Sequence, residues 1–541
     1  MQLSAQTWVH RFGKHAVSTL LVHDNAALLV ECHDPQLVAA IDTLKLPRPQ
    51  QILHTHVQAE HCREAECLPD LPVRVPMGLA QLISDRQHFE QASRTTWDHP
   101  EDWPNTLGSE RYGIAGAVTY RPPARTIRNV TTFKPGDQWD WQGLTWQVIA
   151  LPGHMAEAVG LVLKDGDKTL ACFTGDLIQS PGLLVNLYDL ESAYSQTRLP
   201  QLPQVLRHLA QTVDTDLYLP ATGPVIENGR HAATSLAQKI DHFLMVSNQT
   251  SEQTVASSPP AQRMVGRFAQ VAPGLYQFAE PGNCIVLIDK QGHGLLFDPG
   301  PCDYDNPNRV ADFQADLIAL ENDAGLKVVD QVLVTHMHGD HYDMLPVVVN
   351  RYPGCRTGAW APLARLIRSP QDYPYACLLP WYGQSQSEFH MNDELTRSTV
   401  FHWHDTAIQT VHLPGHCLIH AGYLLTFGHQ RLAVTGDTIM TNGSPMGLHF
   451  IMCNHGAPDG PAGIQSAFQT MLAQPSLPDI NLCGHGMRFD QCQAVYQTSL
   501  QRIEEALAAL APLVAEGDLH KASIRPEYSA IESPLKNHYF P

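Results

Sequence analysis

Residues 332–341 read VLVTHMHGDH, an apolar run that breaks into His336, Met337, His338, Gly339, Asp340 and His341. Four metal-ligand side chains thus fall within six residues. Neutral imidazole and carboxylate are the donors that borderline divalent ions prefer. The preceding run is rich in β-branched residues and predicts a buried strand, so the ligands hang from a loop at its end. Alternation along an extended loop puts His336 and His338 on one side and turns Asp340 and His341 toward a second point.

Three further candidates lie downstream, each after a strand-like apolar run. LPGH ends at His416, TGD ends at Asp437, and CGH ends at His485. The neighbouring glycines let the backbone approach a metal cluster closely. A lone H-x-H is usually an ordinary core or surface histidine. An ordered set of seven donors at strand ends points to metal binding instead.

The same landmarks occur upstream. Residues 52–61 read ILHTHVQAEH and align without a gap with 332–341; LPGH recurs at His154, TGD recurs at Asp176, and Thr222 in ATGP faces His485. Residues 19–30 and 284–298 both read as hairpins. Landmarks in the same order at near-constant spacing predict a tandem duplication. The first copy is degenerate: Gln58 stands for His338, Glu60 for Asp340 and Thr222 for His485. His56, His61, His154 and Asp176 remain and read either as a single altered metal site or, as the favoured reading, as the vestige of a decayed copy kept for packing, substrate shaping or pairing, since each metal position has lost a ligand. His54 sits at another strand phase. A polar stretch, SNQTSEQTVASSPPAQ, follows a helical pattern at 232–243 and suits a flexible connector. The expected organisation is a first domain over 1–246, a linker over 247–263, and a second domain over 264–541 with a C-terminal helix and tail. Helices are expected over 311–322 and 492–515.

Composition narrows the class. The chain has 541 residues, which at ~100–200 residues per domain suits several domains. A net charge of −19 argues against general nucleic-acid binding, and no Lys/Arg cluster stands beside the motifs. No signal-like N-terminal segment or apolar run of membrane-spanning length is present. The 12 cysteines form no C-x-x-C pair and read as reduced, buried residues of a cytoplasmic protein.

The ordered set His336, His338, Asp340, His341, His416, Asp437 and His485, with Asp298 in the FDPG segment, resembles the metallo-β-lactamase-fold hydrolase superfamily. The resemblance covers about 264–515, with a weaker copy over about 5–245. It implies an α/β protein of two tandem αββα sandwiches and a dinuclear centre. By that resemblance His336, His338 and His416 hold one ion, Asp340, His341 and His485 hold the second, and Asp437 bridges them. Two divalent ions are implied, zinc first, with iron or manganese open. His338 stands where the iron flavoproteins of this superfamily carry Glu, which argues against a di-iron oxygen-reducing centre. The same resemblance implies Asp340 and Asp437 as the catalytic carboxylates. Water bound to such an ion has a pKa of about 7, so hydroxide is available for attack near neutral pH.

The substrate is less legible. Tyr352, Trp360, Tyr373, Tyr375, Trp381, Tyr382 and Phe389 lie between the second and third motifs and read either as a pocket wall or as core. The loop from 442 to 455 also stands near the site in sequence. The leading expectation is hydrolysis of a small acyl substrate, a thioester or lactone. A phosphodiesterase or nuclease, a mononuclear iron sulfur dioxygenase and a non-catalytic metal-binding protein are the alternatives. No membrane partner is expected, and a homo-oligomer is left open. His402 and His404, flanking Trp403, receive no role.

Overall fold

The computed structural model describes residues 1–13, 16–32, 36–57, 65, 68, 70–84, 127, 129–155, 157–185, 199–252, 261–278, 284–300, 306–369, 389–417, 419–439, 460–485 and 488–514. Within them each half of the chain builds two sheets. In the first half, β1 (Thr7–Phe12), β2 (Ser18–His23), β3 (Ala26–Val30), β4 (Ile52–Leu53), β5 (Val73–Pro76) and β6 (Val130–Phe133) run in chain order across one sheet. The second sheet holds β7 (Gln138–Trp141), β8 (Leu144–Ala150), β9 (Val159–Asp165), β10 (Lys168–Gly175) and β11 (Tyr218–Pro220).

The second half repeats this pattern with additions. One sheet holds β12 (Arg263–Val265), β13 (Phe268–Ala272), β14 (Leu275–Phe278), β15 (Ile285–Ile288), β16 (His293–Phe297), β17 (Val328–Val334), β18 (Arg356–Trp360) and β19 (Asp393–Leu395). The other holds β20 (Val400–Trp403), β21 (Thr406–His412), β22 (Ala421–Phe427), β23 (Gln430–Gly436) and β24 (Ile480–Cys483). Both expected hairpins form, as β2–β3 and β15–β16.

Each half is a mixed α/β sandwich. Val9, Leu21, Leu28 and Leu53 of the first sheet meet Trp146, Leu161 and Phe173 of the second, all buried. Leu287, Leu295 and Leu333 meet Ile408, Tyr423 and Val434 in the same way. Strands buried on both faces become continuous apolar runs, which is why they were readable in the sequence. β16, β17, β18 and β19 are parallel, and their crossovers are helical. The first crossover helix, Arg309–Ala324, buries Phe313, Asp316, Leu317 and Leu320 on one stripe. It ends at Gly325, whose left-handed backbone (φ 79°) favours glycine. Asp316 tolerates burial because Arg267 lies 2.7 Å away.

The boundary between the halves differs from the expectation. Helix Gly229–Glu252 runs six residues into the stretch read as linker, and strand β12 already begins at Arg263. Polar Ser, Gln and Glu cost little at a helix end, so a helix started by an apolar stripe extends through them. Leu206, Leu236 and Phe243 share one core cluster with Leu513 and Val514, and the Leu184 amide donates to the Leu513 carbonyl at 2.8 Å. The helix expected over 492–515 spans Cys492–Leu510, followed by a tight turn over Ala511–Leu513. Cys172, Cys284, Cys355, Cys483 and Cys492 are buried free thiols, and Cys32 and Cys417 are buried as well. No helix among the described residues is long and apolar enough to cross a membrane.

Candidate metal centre

The centre begins where two parallel strands end side by side. β16 stops at Phe297 and β17 at Val334, so Asp298 and Thr335 emerge together. The Thr335 amide donates to Asp298 Oδ1 and the Thr335 hydroxyl to Oδ2, each at 2.7 Å. His341 Nδ1 donates to the same Oδ2 at 2.9 Å. One buried carboxylate therefore fixes both ends of the motif loop. A single turn, Gly339–His341, brings Asp340 and His341 back toward His336. A Cβ at Gly300 would lie 2.2 Å from the Asp340 carbonyl oxygen, so that close approach requires glycine.

The seven predicted residues converge. His338 Nδ1 lies 3.0 Å from His336 Nε2 and 2.9 Å from His416 Nε2. Asp437 Oδ2 lies 3.8 Å from His336 Nε2 and 3.5 Å from His416 Nε2. Asp340 Oδ2 lies 3.0 Å from His485 Nε2 and 3.7 Å from His341 Nε2. Asp437 also faces this second group, with Oδ1 3.3 Å from His341 Nε2 and Oδ2 3.2 Å from His485 Nε2. Within each group, His336, His338, His416 and Asp437 or Asp340, His341 and His485, the ligand atoms lie within 4.8 Å of one another. Asp437 stands between the groups. All seven are buried except His485, whose side chain is 26% exposed.

The donor set fits divalent ions. Ligand bonds of ~2.0–2.2 Å at tetrahedral corners hold donor atoms ~3.3–3.6 Å apart, inside the observed spread. Three imidazole nitrogens facing one point carry lone pairs that one shared proton cannot satisfy, whereas one cation can. Electrostatics agree. Burial holds His336 well below its ordinary pKa, with the nearby His341 and His338 adding to the effect. Burial likewise pulls His416 down to about 4, against Asp437. Both rings are neutral and ready to ligate. His341 behaves oppositely: burial disfavours its charge, but Asp437, Asp340 and Asp298 overcome it and raise the ring to about 10.

One supporting residue escaped the sequence reading. His420 is fully buried, stacks on His336 with ring centroids 4.8 Å apart, and accepts the Asp437 amide at Nε2, 3.2 Å away. Burial keeps it neutral, well below its ordinary pKa. Its position four residues after His416 was the available signal.

The first half brings together a smaller set. The ligand atoms of His56, His154 and Asp176 lie within 4.8 Å of one another. His56 Nε2 is 3.5 Å and His154 Nε2 is 3.9 Å from Asp176 Oδ2. Thr222, standing where His485 stands, donates to Asp176 Oδ1 at 2.8 Å. Glu31 plays the part of Asp298: its Oε1 accepts the Thr55 amide at 2.9 Å and the Thr55 hydroxyl at 2.5 Å. Its Oε2 pairs with His54 Nδ1 at 2.8 Å, so His54 orients on Glu31 and is not one of the three converging residues. Glu31 was not anticipated, because a longer carboxylate outside the motif left no spacing signal. His61, Gln58 and Glu60 lie outside the described residues.

Of the aromatic segment, Tyr352 and Trp360 are buried in the core, and Phe389 packs against it. Tyr352 donates to Glu321 Oε1 at 2.7 Å. These rings are core, not pocket wall. Tyr373, Tyr375, Trp381, Tyr382, the loop from 442 to 455 and the tail beyond 514 lie outside the described residues.

Comparison with known proteins finds similarity in the second half. Residues 278–477 match the metallo-beta-lactamase superfamily. Hydroxyacylglutathione hydrolase of Aeromonas hydrophila is 23% identical over 240 residues, 43% of this chain and 74% of that protein. Its namesake from Aeromonas salmonicida is 24% identical over 239 residues, with the same coverage. Among solved structures, a metallo-beta-lactamase from Cronobacter sakazakii has a TM-score of 0.36 at 16% identity, covering 46% of this chain and 96% of that one. One from Elizabethkingia meningoseptica has a TM-score of 0.34 at lower identity, 13%, covering 48% and 98%. Residues 278–477 thus form a metallo-beta-lactamase superfamily domain of the hydrolase type, with residues suited to divalent metal.

Proposed function

We propose that the second half hydrolyses a small acyl substrate, a thioester first and a lactone second, at a dinuclear zinc centre. The observation that carries this reading is the position of Asp437, within 3.8 Å of donor nitrogens in both ligand groups. His336, His338 and His416 would hold the first ion, Asp340, His341 and His485 would hold the second, and Asp437 would serve both. When bound, such ions supply Lewis acidity, which makes water nucleophilic near neutral pH and draws charge from an acyl oxygen. The chain's own residues do the rest. Asp298 and Thr335 hold the motif loop, and His420 holds the Asp437 backbone. Asp340, paired with His485, orients the attacking water. His485 marks the solvent-facing side, where substrate enters. The thioester preference is supported by the curated relatives, both named as hydroxyacylglutathione hydrolases.

We further read the first half as a duplicated, degenerate copy, kept for packing against the second half. Thr222 engages Asp176 where a ligand would otherwise stand.

The test is elemental analysis of purified protein alongside Asp437→Ala, with thioester and lactone turnover measured on both. About two zinc ions per catalytic half, lost together with turnover in the variant, is the expected result. Unchanged metal content in Asp437→Ala, or one iron in place of zinc, overturns the reading.

A further inference from the structure

His293, Asp330 and His404 form a second cluster of donors, remote from the centre. His293 opens β16, Asp330 lies near the start of β17, and His404 sits in the tight turn between β20 and β21. The catalytic loops leave β16 and β17 at their other ends. His336 lies six positions beyond Asp330, or roughly 20 Å of extended strand. The cluster therefore shares no ligand with the catalytic centre.

Its geometry is specific. His293 Nδ1 lies 2.8 Å and His404 Nε2 lies 2.6 Å from the same Asp330 Oδ2. The two rings stand 4.7 Å apart, centroid to centroid, tilted by 59°. All three ligand atoms lie within 4.8 Å of one another. The side chains are 36%, 28% and 44% exposed, so an ion reaches them from solvent. The residues come from two sheets, and the cluster joins the β20–β21 turn to the edge formed by β16 and β17.

His404 adopts φ 48°, a left-handed conformation that favours Gly, Asn or Asp in a two-residue hairpin turn. Histidine tolerates that conformation better than most side chains, and here its ring is aimed at Asp330. Two ring nitrogens converging on one half-exposed carboxylate oxygen gain little as hydrogen bonds in water. As a two-histidine, one-carboxylate set they match the donors of borderline divalent ions, with water completing the coordination. Ligand spacing of ~3.3–3.6 Å around such an ion requires the cluster to open by roughly 0.5–1 Å. A surface turn permits that.

We propose that His293, Asp330 and His404 form a peripheral zinc-class cation site that clamps the β20–β21 turn of one sheet to the strands of the other. It rests on these residues alone and stands whether or not the catalytic reading holds.

The experiment uses the full chain with its tightly held metal retained after dialysis. Zinc is titrated into it calorimetrically. Wild type is expected to show one additional exchangeable site. His404→Asn keeps the left-handed turn and removes a ligand, so it should weaken that site by about tenfold or more. Turnover and retained metal should stay at wild-type levels. His293→Ala, which leaves the turn untouched, should do the same. A second readout is thermal unfolding: added zinc should raise the melting temperature of wild type and not of the variants. Identical isotherms in wild type and both variants would mean a hydrogen-bonded clasp only, and would overturn the site. Zinc-induced stabilisation that survives in both variants would also overturn it.

Discussion

Asp298 Oδ2 accepts a hydrogen bond from His341 Nδ1 at 2.9 Å, and this contact fixes which nitrogen of His341 faces the centre. With Nδ1 committed, Nε2 points at Asp340 and Asp437. A ligating histidine held in this way has its ring orientation set before any ion arrives. Asp298 also fastens Thr335, so a single carboxylate ties the first and last histidines of the loop together.

Asp298→Asn should therefore act on one ion more than the other. The amide keeps the approximate shape but loses the charge that supports His341. Affinity for the ion held by Asp340, His341 and His485 should fall about 10–100-fold. The group built on His336, His338 and His416 should be affected less. Stepwise metal titration of the metal-free protein checks this. Equal loss at both steps would show that Asp298 acts by holding the whole loop.

The metal-free protein should have a distinctive pH response. Burial opposes charge on His341, but Asp437, Asp340 and Asp298 raise its pKa to about 10, above the ordinary 6.5. A raised pKa in the folded state stabilises that state fully below the unfolded value, and the contribution is lost as pH rises through the folded value. The melting temperature of the metal-free wild type should thus lose its advantage over His341→Gln as pH climbs from neutrality toward 10. Metal uptake must displace the Nε2 proton, so binding near pH 7 should release about one proton from this ring. Calorimetry in buffers of different ionisation enthalpy reads that release. A wild-type advantage constant across this range, with no proton release, would contradict it.

Much of this centre was legible in the sequence. The apolar run before His336 and the ordered LPGH, TGD and CGH landmarks gave the seven donors, because buried strands and metal ligands both leave local patterns. Asp298 was caught by its FDPG context. His420 and Glu31 were not recognised, because their roles depend on contacts the chain makes only after folding: a backbone amide 17 residues away for one, a threonine 24 away for the other. The helix reaching Glu252 was missed for a different reason. Polar residues end an apolar stripe without ending a helix.

The first half, proposed above to be a degenerate copy, yields its own test. Thr222 already donates to Asp176 Oδ1, and His54 is engaged by Glu31. Three converging residues remain, His56, His154 and Asp176. Asp176→Asn should leave the metal retained after dialysis, and the turnover, at wild-type levels. Elemental analysis of both proteins side by side decides it. A drop of one ion per chain in Asp176→Asn would mean the first copy holds metal after all.

The last prediction concerns a glycine rather than a ligand. A Cβ at Gly484 would lie 2.0 Å from Asp437 Oδ1 and 2.9 Å from the Gly436 carbonyl carbon. The carboxylate end can rotate away, while the Gly436 carbonyl carbon and His341 Cε1, both 2.9 Å from that Cβ, must give slightly, so Gly484→Ala should fold with a modest loss of stability. It cannot rotate and still face both ligand groups. A displacement of about 1 Å in a catalytic constellation can cost on the order of 100-fold in rate. Gly484→Ala should therefore lose turnover on that scale while its metal-free form melts close to wild type. Retained turnover would show that Asp437 need not occupy its position between the two groups. A metal-free form that melts far below wild type would place the fault in packing around β24 instead.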